Sequence, residues 1–368
     1  PPTRKSTNVE RQGPAMIISR TPFRVSFFGG GTDFPAWFRD HGGGVLAATI
    51  DKYCYLTCRY LPPFFEHRLR VVYSKIECCH SYEEITHPVV REALRALDID
   101  RGGEIHHDGD LPARSGMGSS SSFLVGLLHA LHALSGRVVS KQRLSEESIR
   151  LEQDVLRETV GCQDQLMAAY GGLNYISFER SGDIRVQPVT VPTARKEELN
   201  DHLMLFYTGI KRTSSQVAAS YALDFRRNHR LLQTMSRLVR DGMRLLSSNT
   251  DICEFGSLLH EAWVTKSRLS DSVSNRSIDH LYEEALAAGA VGGKLLGAGG
   301  GGFLLLFVRP EQQAQVKQRL DSLVHVPFSF ETGGSQIIFY EAERDYGLED
   351  AHRAKKVCRP YPQLSEVA

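Results

Sequence analysis

The segment LPARSGMGSSSSFLVGLLHALHAL, residues 111–134, places four consecutive serines, Ser119 to Ser122, directly after a Gly-Met-Gly turn and ahead of an apolar run. Serine is a weak helix-interior residue but a good first-turn residue, because its hydroxyl satisfies N–H groups that have no partner inside the helix. From Phe123 onward, Phe123, Leu124, Leu127, Leu128, Leu131 and Leu134 recur at three and four residues, the spacing of a helix packed on a core. Gly116 and Gly118 therefore precede a helix N-terminus, where free amides and the positive end of the macrodipole attract phosphate. On residue types alone two readings stay open: a phosphate-holding loop, and a capped helix behind a flexible turn.

Two other glycine-rich stretches fail as nucleotide motifs. GAGGGG at 297–302 fits G-x-G-x-x-G, but that fingerprint must follow a strand and open a helix. Here a helical pattern is expected before it, and the apolar strand FLLLFV after it. GAVGGKL carries a Gly-Lys pair, yet Leu295 stands where a P-loop needs Ser or Thr for magnesium. Gly292 and Gly293 read as simple turn residues.

The elements that must position these loops alternate in type. Strand character runs over 16–28, 45–61, 203–209, 302–308 and 335–341. Helical patterns run over 88–97, 119–134, 141–159, 214–247, 251–270, 277–288 and 310–323. This is an α+β arrangement with mixed sheets. The polar, proline-punctuated VQPVTVPTARKEELNDH near 190 suggests a boundary. We expect one domain over 16–195, a second over 196–345, and tails at 1–15 and 346–368.

Bulk properties restrict the function classes. The 368 residues are 41% hydrophobic and 24% charged, with 44 Lys+Arg against 43 Asp+Glu, so no overall charge recommends a nucleic-acid or membrane-surface partner. The first residues lack the apolar core of a signal peptide, and the apolar run at 303–308 is too short to span a bilayer. A soluble, cytoplasmic protein is expected. Seven cysteines, an odd number without paired metal-ligand spacing, are expected to be reduced, with no zinc site.

Three motifs in order, TPFRVSFFGGGTDFP (21–35), LPARSGMGSSSS (111–122) and KLLGAGGGGF (294–303), resemble those of the GHMP kinases, small-molecule kinases that include galactokinase and mevalonate kinase. The resemblance covers about residues 16–342. It implies the GHMP kinase fold, an N-terminal ribosomal-protein-S5-like α/β domain followed by a ferredoxin-like α+β domain. It also implies ATP and Mg2+ as cofactors, with Pro112, Ser115, Gly116, Met117, Gly118, Ser119, Ser120 and Ser121 around the ATP phosphates. Ser120 and Glu152 match the family's magnesium positions, and oxygen donors suit that ion. Asp164, in VGCQDQLMAAYGG, resembles the sugar kinases' catalytic base. Arg24 matches the basic residue beside the transferred phosphate.

Gly30, Gly31, Thr32 and Asp33 occupy the substrate segment, where galactokinase-like members carry Glu-His at the first two positions. Arg114 replaces a small residue in the nucleotide loop. Gly299 and Gly300 would meet the substrate, and Lys211, Arg212, Lys266 and Lys294 are candidate contacts for an anionic acceptor. Within the family, GGGTDFP most resembles the D-glycero-D-manno-heptose 7-phosphate kinases. That resemblance implies ATP-dependent phosphorylation of an anomeric hydroxyl, giving the 1,7-bisphosphate for nucleotide-activated heptose. An L-fucose-type 1-kinase and a non-catalytic sugar and ATP sensor are the alternatives. The expected partner is a small-molecule sugar phosphate, without nucleic acid or membrane, and homodimer formation is left open.

Overall fold

The computed structural model describes residues 14–61, 65–99, 102–210, 217–218, 220 and 227–342. Its first sheet is built on two long strands, β1 (Pro14–Phe28) and β2 (Gly43–Tyr60), paired antiparallel from Met16 opposite Arg59 to Phe28 opposite Leu46. Alternation along β1 sends Phe23, Val25 and Phe27 into the core and turns Arg24 and Ser26 to the other face. That other face becomes the wall of the site.

The short strands β3 (Leu69–Val72) and β4 (Ile76–Cys79) form an antiparallel pair, and β3 runs parallel to β5 (Gly103–Gly109). β5 pairs with β2 over Cys54–Tyr60, while β6 (Leu173–Phe178) takes the same edge of β2 over Gly43–Ala48. β7 (Ile184–Pro188) extends β6. A second sheet of the described residues is antiparallel throughout, built from β8 (Leu203–Tyr207), β9 (Ala290–Leu295), β10 (Phe303–Val308) and β11 (Val324–His325) in the order β11-β8-β10-β9. The last described strand, β12 (Gln336–Ala342), returns to the first sheet beside β1.

Between these sheets and on their faces lie α1 (Pro35–His41), α2 (Pro88–Ala96), α3 (Ser119–Leu134), α4 (Lys141–Arg150), α5 (Gln163–Tyr170) and α6 (Thr193–Asp201), followed by α7 (His229–Leu246), α8 (Cys253–Ser267), α9 (Arg276–Ala287) and α10 (Gln313–Arg319). The expected α3 is buried on nearly every side, so its apolar face is no narrow stripe. Gly126 lets it lie close to β1: a Cβ there would come within 2.7 Å of the Thr21 hydroxyl, and Ser19 Oγ donates to the Gly126 carbonyl at 2.9 Å.

The structure departs from the sequence reading at several places. The pattern over 141–159 breaks at Arg150 into a single π-helical turn, Leu151–Val155. A strand, β9, precedes the late glycine loop, and Gly292 and Gly293 belong to it instead of to a turn. Each lies against backbone, with a Cβ at 2.1 Å from Gly256 O and 2.4 Å from Leu305 O respectively. Strand β10 still follows the loop, so no helix opens there and a dinucleotide fingerprint remains excluded. The polar stretch near 190 contains helix α6. The six described cysteines are free, and burial pushes the thiols of Cys54, Cys58 and Cys162 up to about 12. No helix among the described residues is long and apolar enough to cross a membrane.

Candidate active site

Arg24 on β1 and Asp164 in the first turn of α5 meet in a two-pronged ion pair, with Nε on Oδ1 at 2.8 Å and Nη2 on Oδ2 at 2.7 Å. The third guanidinium nitrogen donates to the Gly116 carbonyl at 2.6 Å, so one buried side chain joins the carboxylate to the loop before α3. Asp164 Oδ1 also accepts from Gln163 Nε2 at 2.9 Å, and Gln163 Oε1 accepts from Ser26 Oγ at 2.7 Å. The Asp164 side chain keeps 28% of its surface exposed, against 5% for Arg24, so the carboxylate is the member of the pair that a substrate can reach.

The loop itself has the backbone that its glycines require. Gly116 and Gly118 have φ of 82° and 75°, and Gly118 caps α3 in the left-handed region. A Cβ on Gly118 would lie 3.3 Å from Asp164 Oδ2 and 3.4 Å from Arg24 Cγ. Ser115 Oγ is buried with no hydrogen-bond partner among the described residues. The Met117 side chain points into the core, and its carbonyl accepts from the Arg24 amide at 3.2 Å. Pro112 and Arg114 are exposed, and the Arg114 amide donates to Ser119 Oγ at 3.2 Å. Ser122, the last of the four serines, ties α3 to β1 through the Pro22 carbonyl.

Glu152 reaches this helix from the π-helical turn. Ser120 Oγ donates to its Oε1 at 3.4 Å, Ser121 Oγ to Oε2 at 2.9 Å, and Gln165 Nε2 also donates to Oε2. Burial raises the Glu152 carboxyl to about 7, partly offset by these donors. Ser120 is exposed and Ser121 buried, and both hydroxyls hold the carboxylate, Ser120 by the longer contact.

The substrate segment separates into lining and support. Gly30 is open, with no heavy atom among the described residues within 4 Å of a Cβ placed there, while Gly31 has φ of 98°. Asp33 accepts from the Gly31 amide at 3.0 Å and the Gln163 amide at 3.2 Å, and burial together with nearby Asp164 raises its carboxyl above the usual range. Thr32, expected to line the acceptor site, is fully buried, its hydroxyl wedged between the Gly29 and Gly44 carbonyls at 2.7 and 2.9 Å. It shapes the turn and has no surface to offer.

The late glycine loop packs on the nucleotide loop backbone to backbone: a Cβ on Gly297 would meet Gly116 Cα at 2.5 Å, and one on Gly302 would meet Ser115 O at 2.1 Å. Gly299 and Gly300, expected at the substrate, are buried against Val273, whose carbonyl accepts from the Gly300 amide at 2.8 Å. The partly exposed members are Gly297 and Ala298. Lys294 and Lys266 are not free cations for an anionic acceptor either. Lys294 Nζ donates to Phe27 O at 2.8 Å, and Lys266 Nζ donates to Leu295 O at 3.2 Å and to Gly297 O. Lys211 and Arg212 lie outside the described residues.

Sequence reasoning did not single out Gln163, Gln165 and Ser26. The available signals were the two glutamines flanking Asp164 and the β1 alternation that puts Ser26 on the face of Arg24.

Residues 85–172 match the family described as GHMP kinases N terminal domain, and residues 243–325 match GHMP kinases C terminal. The mevalonate kinase of Methanothermobacter thermautotrophicus is 30% identical over 238 residues, which cover 60% of this chain and 73% of that protein. The chain belongs to the GHMP kinases. It is an ATP-dependent phosphotransferase with an alcohol group as acceptor. Another relative of this GHMP kinase, D-glycero-alpha-D-manno-heptose 7-phosphate kinase of Campylobacter jejuni, is 26% identical over 312 residues, covering 81% of this chain and 91% of the relative. In fold it is similar to the crystal structure of a D-glycero-D-manno-heptose 1-phosphate kinase from Bacteroides thetaiotaomicron, with a TM-score of 0.72 and 23% identity, over 88% of this chain and 99% of that one.

Proposed function

We propose that this GHMP kinase transfers the γ-phosphoryl group of ATP to the anomeric hydroxyl of a heptose 7-phosphate. The observation that carries the acceptor is Gly30, an open position beside buried Asp33 where no heavy atom among the described residues lies within 4 Å of a Cβ, which leaves room for an extended, phosphorylated sugar. The name of the Campylobacter jejuni relative, which aligns over most of both chains, supports the same acceptor. We also infer two units, 16–195 and 196–345, with β12 returned to the first sheet.

The residues before α3 fit a nucleotide phosphate: a buried, unpartnered Ser115 hydroxyl, glycines that bring backbone close, and a helix N-terminus. Ser120 and Glu152 fit a magnesium ion. Magnesium would take the rest of its oxygen shell from water and the nucleotide phosphates. Bound magnesium neutralises charge on the phosphates.

The chain's own groups do the rest. Arg24 orients Asp164, Gln163 braces one of its oxygens, and the exposed part of the Asp164 carboxylate takes the proton of the acceptor hydroxyl as the new O–P bond forms. Arg24 also keeps a guanidinium beside the Gly116 backbone, where a transferring phosphoryl group gathers negative charge.

ADP release measured with heptose 7-phosphate, mannose 6-phosphate and L-fucose at equal concentration tests the acceptor. The expected order in kcat/KM is heptose 7-phosphate, then mannose 6-phosphate, then fucose. Free fucose ahead of both phosphorylated sugars overturns the reading.

A further inference from the structure

Lys266 is a buried cation that the phosphoryl-transfer mechanism above does not use. It projects from α8 beneath the point where β9 ends and the late glycine loop begins, 5% exposed, with its ammonium on the carbonyls of Leu295 and Gly297. Those carbonyls bracket Leu296, whose own carbonyl would lie 2.7 Å from a Cβ on Gly116. One ammonium therefore grips the loop on both sides of its contact with the nucleotide loop.

The remainder of the late loop is tied elsewhere. The Gly300 amide donates to Val273 O at 2.8 Å, the Gly302 amide donates to Ile210 O at 2.9 Å, and Asn275 Nδ2 donates to Gly300 O at 3.4 Å. Gly297 and Ala298 are the partly exposed members of the loop, and the Lys266 ammonium holds the Gly297 carbonyl. The same ammonium lies near enough to Arg24 and Asp164 to feel both charges, with Lys294 close by on β9.

We propose that Lys266 is a positioning residue for phosphoryl transfer: by holding the Leu295 and Gly297 carbonyls it fixes the late glycine loop against Gly116, and with it the spacing between nucleotide loop and Asp164. Burying an ammonium costs free energy, and burial with Arg24 nearby lowers the Lys266 pKa to about 7; the two carbonyls that accept from Nζ offset part of that cost. Geometry held to a fraction of an ångström is what phosphoryl transfer requires, since misplacement by about 1 Å costs roughly 10²-fold in rate. The proposal rests on phosphoryl transfer in this cleft and not on the identity of the acceptor.

The 368-residue chain, Lys266→Met and Lys266→Arg are compared in two measurements, both far below the melting temperature of each. In steady-state kinetics with ATP and the best acceptor of the wild type, Lys266→Met is expected to lose roughly 10²-fold in kcat with KM for the acceptor within threefold, and Lys266→Arg to recover at least tenfold of that loss. In hydrogen–deuterium exchange, the segment 295–302 of Lys266→Met is expected to exchange at least tenfold faster while α3 is unchanged. Lys266→Gln, which keeps one amide donor, replaces Lys266→Met if the latter does not fold. A kcat within threefold of wild type, or an exchange rate of 295–302 that does not rise, overturns the proposal. If the wild type turns over no sugar offered, the acceptor reading fails on its own, and the exchange measurement still decides the role of Lys266.

Discussion

Asp164 and Arg24, 140 positions apart in the chain, form a two-pronged ion pair in which the arginine is buried and the aspartate is partly open. The asymmetry separates the two roles of the pair. Asp164→Asn keeps the size of the side chain but removes the proton acceptor and leaves a buried guanidinium without its counter-charge. Turnover should fall roughly 10²- to 10⁴-fold, and the melting temperature should drop by an amount equivalent to about 3 kcal/mol. Stopped-time ADP assays and thermal unfolding of the same preparation check both. Wild-type turnover removes Asp164 from the chemistry.

Glu152 predicts a pH-dependent exchange of stability for function. Its folded carboxyl titrates at about 7 because of burial, above the ordinary 4.5. Its contribution to stability is therefore intact below about 4.5 and lost as pH rises through about 7, on the order of 3 kcal/mol in the metal-free chain. Glu152→Gln should melt close to wild type at pH 5 and several degrees above it at pH 8.5 in chelator, while needing more magnesium for activity. Equal melting temperatures for the two proteins at both pH values would contradict the burial argument.

Gly30 offers a substitution without steric cost against the described residues, since none of their heavy atoms lies within 4 Å of a Cβ there. Gly30→Glu should fold with unchanged melting temperature. It should raise KM for a phosphorylated acceptor at least about fivefold, because like charges at about 4 Å cost on the order of 1 kcal/mol even in water. Kinetics at two salt concentrations check it: the penalty should shrink at the higher one. A KM that stays at the wild-type value places the acceptor phosphate away from this turn.

Gly297→Ala tests the contact between the two loops. At φ of 69°, with Gly116 Cα at 2.5 Å from the new methyl group, the loops must part. A loss of about 1–3 kcal/mol in stability and a clear fall in kcat are expected, measured by denaturant unfolding and initial rates. Unchanged values of both would show that the loops are free to separate.

What the sequence made legible was the local chemistry. A serine run behind glycines marks a helix N-terminus, and α3 does begin at Ser119, but its N-cap is Gly118 and no side chain caps it: the hydroxyls of Ser120 and Ser121 go to Glu152 and that of Ser122 to the Pro22 carbonyl. Arg24, Glu152 and Asp164 were named from motif position, and the fold does bring Arg24, Asp164 and the nucleotide loop together. The supporting shell was illegible because it is made of distant pairs. Ser26 and Gln163 are separated by 137 positions, and Lys266 reads as a candidate contact for an anionic acceptor until the loop 31 positions later folds over it. Thr32 misled for the opposite reason: a hydroxyl next to a candidate sugar ligand looks like a contact, and only the turn geometry shows that two carbonyls already surround it. Strand β9 was missed because Gly292 and Gly293 signal a turn locally, while the crowding that demands glycine there comes from α8 and β10.

The edge of β2 that is shared by two strands has a consequence for biosynthesis. Its Cys54–Tyr60 half finds β5 within the next fifty or so residues, but its Gly43–Ala48 half waits for β6, and Ile50 between them waits for Phe330. A nascent chain that has emerged only as far as α5 therefore carries a bare, apolar strand edge of Val45, Leu46, Ala47 and Ala48, the kind of template on which chains misassociate. Ribosome pausing before β6 emerges, or truncation there, should turn this enzyme into an aggregating species, whereas the same pause after Phe178 releases a chain whose longest strand is already covered along that half.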